Sequence, residues 1–472
     1  MHKNMASSDF PGDKIELYII IKEFLRKLKQ KIEENNKRIE NSKITDIKWI
    51  ITVPPLWDIK GKNLMEKAAK KVGMINLEVV LEPEAASIAI FNEDNPIIKK
   101  YIQPGKKFLV VDAGGYTIDF SANKILENND LEQLMIPISI VNGSSIINDE
   151  IFQIVESFFG KKKIDEYKSS KYKIIKKILS SIEEKKKQVN DNQAGFIKLD
   201  ISDFDIICPN DSLLGKILYQ LFGIKYFYSK NECEAKIEGK NLIFNDKYLF
   251  IPSNYVYDII YQVVINIFKH INSIISKIGS VDLIIFTGGF SNNVIFRNYI
   301  KKYKEGSFAE IAFLKEPQKT VMKGAALFGL KPTQIIRRII PITIGVDSTY
   351  EKKENEEVCN GIYVSKNYEI RCHEYIIYTQ RRQSIDINEI IKHRIYPIDE
   401  NIIIYYSYEE EIYEENMKEL GYIILPISEI PLYKRKLYLS MKFSNYINVT
   451  LIDENLGEQN SILLSYPKNN FF

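Results

Sequence analysis

The 472 residues carry 65 Lys and Arg against 62 Asp and Glu, a formal net charge of +3, with 45% hydrophobic and 27% charged residues. A chain of this length and apolar content supports about two to four packed domains and excludes global disorder. The charge balance leaves no basic face of the kind nucleic-acid readout requires, so no nucleic-acid partner is expected.

Residues Ile15 to Ile39 place Leu17, Ile21, Phe24, Leu25, Leu28 and Ile32 at helical spacing, which predicts an amphipathic helix packed on a sheet. A strand at Lys48–Val53, a helix at Ile59–Val72, a strand at Leu77–Leu81 and a helix at Pro83–Phe91 follow, the alternation of a mostly parallel sheet. Beyond Gln103–Lys107 the pattern becomes strand, turn, strand over Phe108–Asn123, with a further strand near Met135–Val141. A lysine-rich helical region is expected from Asn148 to Val189, and its lysine runs, such as Lys161 to Lys163, read as a solvated face. Next come strand Phe196–Asp205, a hairpin over Asn241–Phe250 turning at Asn245-Asp246, helix Tyr255–Ile278, strand Val281–Thr287, a helix from about Asn293 and another at Thr320–Gly329. Past Pro341, short alternating strands at Asn401–Tyr408, Glu419–Pro426, Lys436–Phe443 and Tyr446–Asp453 (the last two around Ser444-Asn445) argue for an all-β sandwich. The expected divisions are therefore 1–103, 104–338 and 339–472.

Cys208, Cys233, Cys359 and Cys372 form no Cys-x-x-Cys pair, so reduced thiols are expected and neither a zinc site nor a redox motif has support. No His-Glu-x-x-His or Gly-x-Ser-x-Gly string occurs. No segment reads as long and apolar enough to span a membrane, and the N-terminal residues lack a signal-peptide core, so a cytoplasmic protein without a membrane partner is expected.

The chemistry concentrates in two glycine turns. In FLVVDAGGYTIDF, Asp112 ends one strand and Gly114, Gly115, Tyr116 and Thr117 lead into the next. Glycines let backbone N–H groups approach phosphate oxygens, and a strand-end aspartate can hold a water of a Mg²⁺ ion bridging them. In IIFTGGFSNN, Gly288, Gly289 and Phe290 join a strand to a helix and can pack on a nucleotide's α-phosphate and sugar. In SSIEEKKKQV, Glu183, Lys186 and Lys187 share one helical face, as a ribose and adenine contact or as a surface ion-pair string.

Taken together, ITVPPLW, LEPEAASIAIF, VVDAGGYTIDF, FTGGFSNN and KGAALFG resemble, in order and rough spacing, the heat shock protein 70 family, and in detail its divergent 12A/12B-like branch. The resemblance implies an α/β, actin-like ATPase (ribonuclease H-like) two-lobe fold followed by a β-rich, sandwich-like C-terminal domain. It implies ATP or ADP with Mg²⁺ as cofactors, and client or regulatory proteins as partners. Carried over by position, Asp112, Gly114, Gly115 and Thr117 match the second phosphate loop, with Tyr116 where the family has a third glycine. Asp112 and Asp119 lie toward the metal, Glu82 acts near Mg²⁺ and the attacking water, and Gly143 follows the hairpin near the phosphates. Glu183, Lys186 and Lys187 match an adenosine-contacting pattern, Gly288, Gly289 and Phe290 the adenosine loop, and Pro54 an interlobe switch.

The departures carry equal weight. The family's first phosphate loop, Asp-x-Gly-Thr-Thr followed by a catalytic lysine, has no match, and IGVDSTY (Ile344 to Tyr350) reads as a decoy without a glycine turn. An incomplete first lobe and impaired hydrolysis are therefore expected, with Tyr116 either crowding phosphates or taking an unfavourable backbone angle. The alternatives are a non-catalytic interaction module that has lost nucleotide, and a small-alcohol kinase on the same fold, for which no catalytic-aspartate motif is visible.

Overall fold

The computed structural model describes residues 16–38, 47–57, 59–189, 195–204, 233–237, 240–245, 247–304, 309–351, 362–364, 370–444, 446–464 and 466–467. Cys208, Cys359 and the turn residues Asp246 and Asn445 lie outside them. The fold is mixed α/β with several separate sheets.

Helix α1 (Leu17–Arg38) precedes β1 (Trp49–Val53), α2 (Ile59–Lys71) and β2 (Leu77–Leu81), and the two strands pair in parallel, as the βαβ pattern predicts. Of the expected α1 stripe, Leu25 is buried against Ala68, Ala69 and Met74, whereas Leu17, Phe24 and Leu28 are exposed. Two strands offer too little surface to cover a full helix face, and the stripe is left largely in solvent. Helices α3 (Glu82–Ala89) and α4 (Pro96–Tyr101) lead to the principal sheet.

That sheet contains β3 (Lys107–Ala113), β4 (Ile118–Ile125), β5 (Leu131–Gln133) and β6 (Ile138–Ile140), followed in sequence by α5 (Ser145–Phe159), α6 (Lys161–Ser170) and α7 (Tyr172–Lys186). The single helical region of the sequence reading is thus three helices, broken at Gly160 (φ +84°) and at Lys171. The interposed strands β7 (Phe196–Asp200), β8 (Cys233–Ile237), β9 (Lys240–Phe244) and β10 (Tyr248–Pro252) form their own antiparallel sheet in the order β7-β10-β9-β8. Asn245 turns the last hairpin by accepting from the backbone N–H groups of Lys247 and Tyr248. Helix α8 (Asn254–Ile278), β11 (Leu283–Thr287), α9 (Val294–Lys304), β12 (Glu310–Phe313), α10 (Thr320–Leu330) and β13 (Ile335–Ile339) complete the central part.

By length and composition α8 is apolar enough to cross a membrane, contrary to the sequence expectation. Its apolar face, including Ile260, Val264, Ile267 and Ile271, is packed in the main core.

The principal sheet runs β12-β11-β3-β4-β5-β13, and alternation along β3 decides which face each residue meets. Leu109, Val111 and Ala113 enter one core with α5, α7 and α8, while Phe108 and Val110 enter another with α3 and α10. A sheet covered on both faces explains the nearly continuous apolar strands. Asp112 shares the parity of Phe108 and Val110, which puts its carboxylate on the α3/α10 side. On that side Gly324 of α10 packs so tightly on α3 that an added Cβ would lie 1.7 Å from the Ala85 carbonyl oxygen.

The remaining strands are β14 (Thr343–Glu351), β15 (Ile362–Val364), β16 (Ile370–Thr379), β17 (Ser384–Asp386), β18 (Ile390–Ile395), β19 (Asn401–Ser407), β20 (Lys418–Ile424), β21 (Leu437–Phe443), β22 (Ile447–Asp453) and β23 (Glu458–Leu464). They form sheets ordered β15-β16-β14-β19-β20 and β18-β21-β22-β23, whose apolar residues Ile344, Ile404, Leu439 and Val449 share one core. Strand β17 instead extends the principal sheet beside β13. Strand β14 runs unbroken through Ile344 to Tyr350, so Asp347 sits in a ladder and not at a turn. Cys372, buried in β16, is disulfide-bonded rather than the free thiol expected, because spacing along the chain does not report which thiols meet in the fold.

Candidate functional site

Strand pairing assembles the site. Thr287 of β11 pairs with Asp112 of β3, Asp112 with Asp119 of β4, and Asp119 with Ser139 of β6. Directly paired residues point to the same face, so four polar side chains cross an apolar sheet in one row. All four are buried. Like charges placed opposite one another oppose folding, a local conflict that makes the Asp112–Asp119 pair a candidate site.

Glu82, the first residue of α3, meets this row from above. Ligand oxygens of Glu82, Asp112 and Asp119 all lie within 4.8 Å of one another. Burial, then the charges of Asp119 and Glu82, push Asp112 up to about 8. Burial, aided by Asp119, raises Glu82 to about 7. Burial raises Asp119 to about 6 against the opposing hydrogen bonds from Ser139 and Thr117. The Asp119 Oδ1 atom has no hydrogen-bond partner among the described residues. Three hard oxygen donors held together, one of them orphaned, suit a hydrated Mg²⁺ ion, whose charge would favour the ionised forms that burial disfavours.

The glycine turn closes above the carboxylates. Gly114 N–H donates to the Thr117 carbonyl at 3.0 Å, and the next loop docks beneath: Gly143 N–H to Tyr116 O at 3.0 Å, Ser144 N–H to Gly114 O at 3.1 Å, and Ser145 N–H to Gly115 O at 2.7 Å. Gly143 therefore supports the turn, and a Cβ there would lie 2.5 Å from the Gly115 oxygen. Gly143 is itself buried. Gly115 has open space around it, the room a phosphate needs. Tyr116 keeps an ordinary negative φ and is 63% exposed, so neither the strained backbone nor the inward crowding expected of it occurs.

Gly288, at φ +83°, brings the second loop against the first: a Cβ there would meet Ala113 O and Asp112 Oδ1, both at 2.3 Å. Gly289 faces open space. The Phe290 ring, by contrast, is buried against Phe296 with centroids 4.6 Å apart, which leaves its backbone as the part available to a ligand.

On α7, Glu183 bridges Lys186 at 2.6 Å and Lys187 at 3.0 Å and accepts from Asn148 Nδ2 at 2.8 Å. Burial acts to raise Glu183, but the hydrogen bonds from Asn148, Lys186 and Lys187 outweigh it and hold it at about 2. Lys186 is buried and also donates to the Ser144 carbonyl at 3.1 Å, which ties α7 to the loop beneath the glycine turn. The string is an ion-pair cluster that Lys186 ties to the Ser144 loop. The sequence reading did not find Ser139, Ser144 or Asn148 as parts of the site, and only the β3–β4–β6 register reveals the first. Ser139 Oγ also accepts from Leu56 N–H at 3.1 Å, which connects Asp119 to the turn after Pro54.

A family model described as "Hsp70 protein" matches residues 2–207. The chain is 21% identical over 503 residues to heat shock 70 kDa protein 12A of Homo sapiens, covering 90% of this chain and 71% of that protein. Against the Mus musculus 12A protein it is 22% identical over 472 residues, covering 85% and 66%. Against human heat shock 70 kDa protein 12B it is 19% identical over 364 residues, covering 64% of this chain and 50% of the relative.

Proposed function

The chain belongs to the heat shock protein 70 family, on its 12A/12B-like branch, and from that premise we propose that it binds ATP or ADP with Mg²⁺ in an actin-like cleft. The observation that carries the reading is the carboxylate trio of Glu82, Asp112 and Asp119 beneath a glycine turn with open space at Gly115. In this reading Asp112 and Asp119 hold waters of the metal, which neutralises phosphate charge when bound. The turn residues Gly114 to Thr117 cradle phosphate oxygens, and Gly288 and Gly289 accept the sugar. Glu183, Lys186 and Lys187 border the adenosine. Glu82, raised by burial to about 7, takes in this reading a proton from a water on the cleft side.

Hydrolysis by these residues alone would be weak, because they bring charge to a transferred phosphoryl group from one side of the cleft only. The nucleotide then serves to set the arrangement of the lobes and of a sandwich-like C-terminal unit that engages client or regulatory proteins, in the cytoplasm and without a nucleic-acid or membrane partner. Isothermal calorimetry with Mg-ADP tests the binding step. Saturable heat that disappears in Gly288→Val supports it, since that side chain would occupy the approach of the two loops. No heat with either nucleotide overturns it and leaves the non-catalytic interaction module as the reading.

A further inference from the structure

A cavity of about 100 Å³ lies away from the carboxylate trio, where the β1–β2 region, the principal sheet and the C-terminal strands meet. Its walls include Trp57, Pro137, Pro341 and Pro467, and its polar lining includes Glu84, Arg338 and Tyr466. Glu84 and Arg338 are among the most buried charged residues, 1% and 8% exposed. They form an ion pair through Arg338 Nη1 and Glu84 Oε1, and Gln133 Nε2 donates to the same oxygen at 2.7 Å. All of Glu84's hydrogen bonding thus falls on one oxygen.

Three polar atoms of residues that line this cavity have no hydrogen-bond partner among the described residues: Glu84 Oε2, Arg338 Nε and the Tyr466 hydroxyl. They come from α3, β13 and the segment after β23, so no single local distortion accounts for them. Burial raises the Tyr466 phenol, and the charges of Arg338 and Glu84 both act on it, which locates the three groups together. A buried polar group left unpaired opposes folding, so such a concentration calls for an occupant.

The lining defines that occupant's chemistry. A cation would face the guanidinium, an anion would face the carboxylate, and a wholly apolar molecule would leave all three atoms unpaired. One acceptor and one fixed donor on two paired side chains match a group that offers the converse pair, and the proline and tryptophan walls match an apolar or aromatic remainder. We propose that this cavity is a binding site for a small neutral molecule bearing a primary carboxamide, with its carbonyl accepting from Arg338 Nε–H, its NH₂ donating to Glu84 Oε2, and the Tyr466 hydroxyl bonding to the same group. The site is independent of the nucleotide reading.

Saturation-transfer NMR on the full chain with benzamide as probe tests this, with benzoate and benzylamine as charged comparisons of the same size. Benzamide is expected to bind saturably, at least about tenfold more tightly than either comparison, and unchanged by saturating Mg-ADP. Tyr466→Phe and Trp57→Ala, neither of which removes a member of the ion pair, are each expected to weaken it by about five- to tenfold. Absence of saturable transfer overturns the proposal. So does equal binding of the three probes, or full affinity in both variants. A crystal structure grown with benzamide that has ordered waters on all three atoms and no benzamide overturns it as well.

Discussion

Replacing Asp112 by Asn separates the cost of the carboxylate trio from its use. Asp112 stands at about 8 in the folded chain against 3.8 for the free side chain, raised first by burial and then by Asp119 and Glu82. Between those values the folded chain holds a proton that the unfolded chain has released, so stability falls as the pH rises from about 4 to about 8. The contribution is fully present below the lower value and lost through the upper one. Four units correspond to at most about 6 kcal/mol, and water admitted on ionisation reduces this to an expected 2–3 kcal/mol. For a lobe of this size that is a drop of about 4–6 °C in melting temperature between pH 5 and pH 8. Asp112→Asn should remove this drop, keep the smaller ones that the raised Glu82 and Asp119 carboxyls contribute, and melt above the wild type near pH 8 without metal. Mg²⁺ should restore the wild type at pH 8 by about the same amount, because the ion replaces the proton, and should leave the variant unmoved. Thermal melting across pH, with and without Mg²⁺, reads all of this. A wild-type melting temperature that is flat or rises over that range, or a variant as pH-sensitive as the wild type, would refute the electrostatic reasoning.

Gly143→Ala should destabilise the chain by about 1–3 kcal/mol in urea unfolding and weaken Mg-ADP binding in calorimetry, since its Cβ would meet the Gly115 carbonyl at 2.5 Å. Lys186→Met should lower Mg-ADP affinity by about tenfold in the same titration, with a smaller effect on melting, because it frees the loop at Ser144 while keeping an apolar stem in place. Arg435→Leu should cost about 3–5 kcal/mol by chemical denaturation, as it leaves the wholly buried Asp453 carboxylate without its partner.

Periodicity made the alternation of strands and helices legible, and the parallel β1–α2–β2 unit and the β3–β4 hairpin fall where it placed them. It failed where the partner surface decides. The stripe on α1 predicts burial, but helical spacing carries no information on how many strands stand beneath the helix. The lysine-rich region reads as one helix because its apolar spacing continues past Gly160, and only the positive φ at that glycine separates α5 from α6. The apolar length of α8 likewise meets a composition test for a membrane span, while its neighbours in the core determine where that surface goes.

The site divides along the same line. Asp112 and its glycines were visible because a charge at the end of an apolar strand violates the local pattern, and Asp119 was visible through the family motif. Ser139 was not, since a serine in a short strand violates nothing. Its place follows from register alone: Asp119 pairs with Ser139, and the same pairing sets Thr287, Asp112 and Asp119 in one row. Glu84 shows the same blindness from the other direction. Two residues after the glutamate that reaches the trio, it lies in a run of helix where a charge is ordinarily solvated. It is nevertheless buried against an arginine 254 positions away. Contacts of that range leave no local trace, so the cleft could be read from motifs while the junction cavity could be read only from the folded chain.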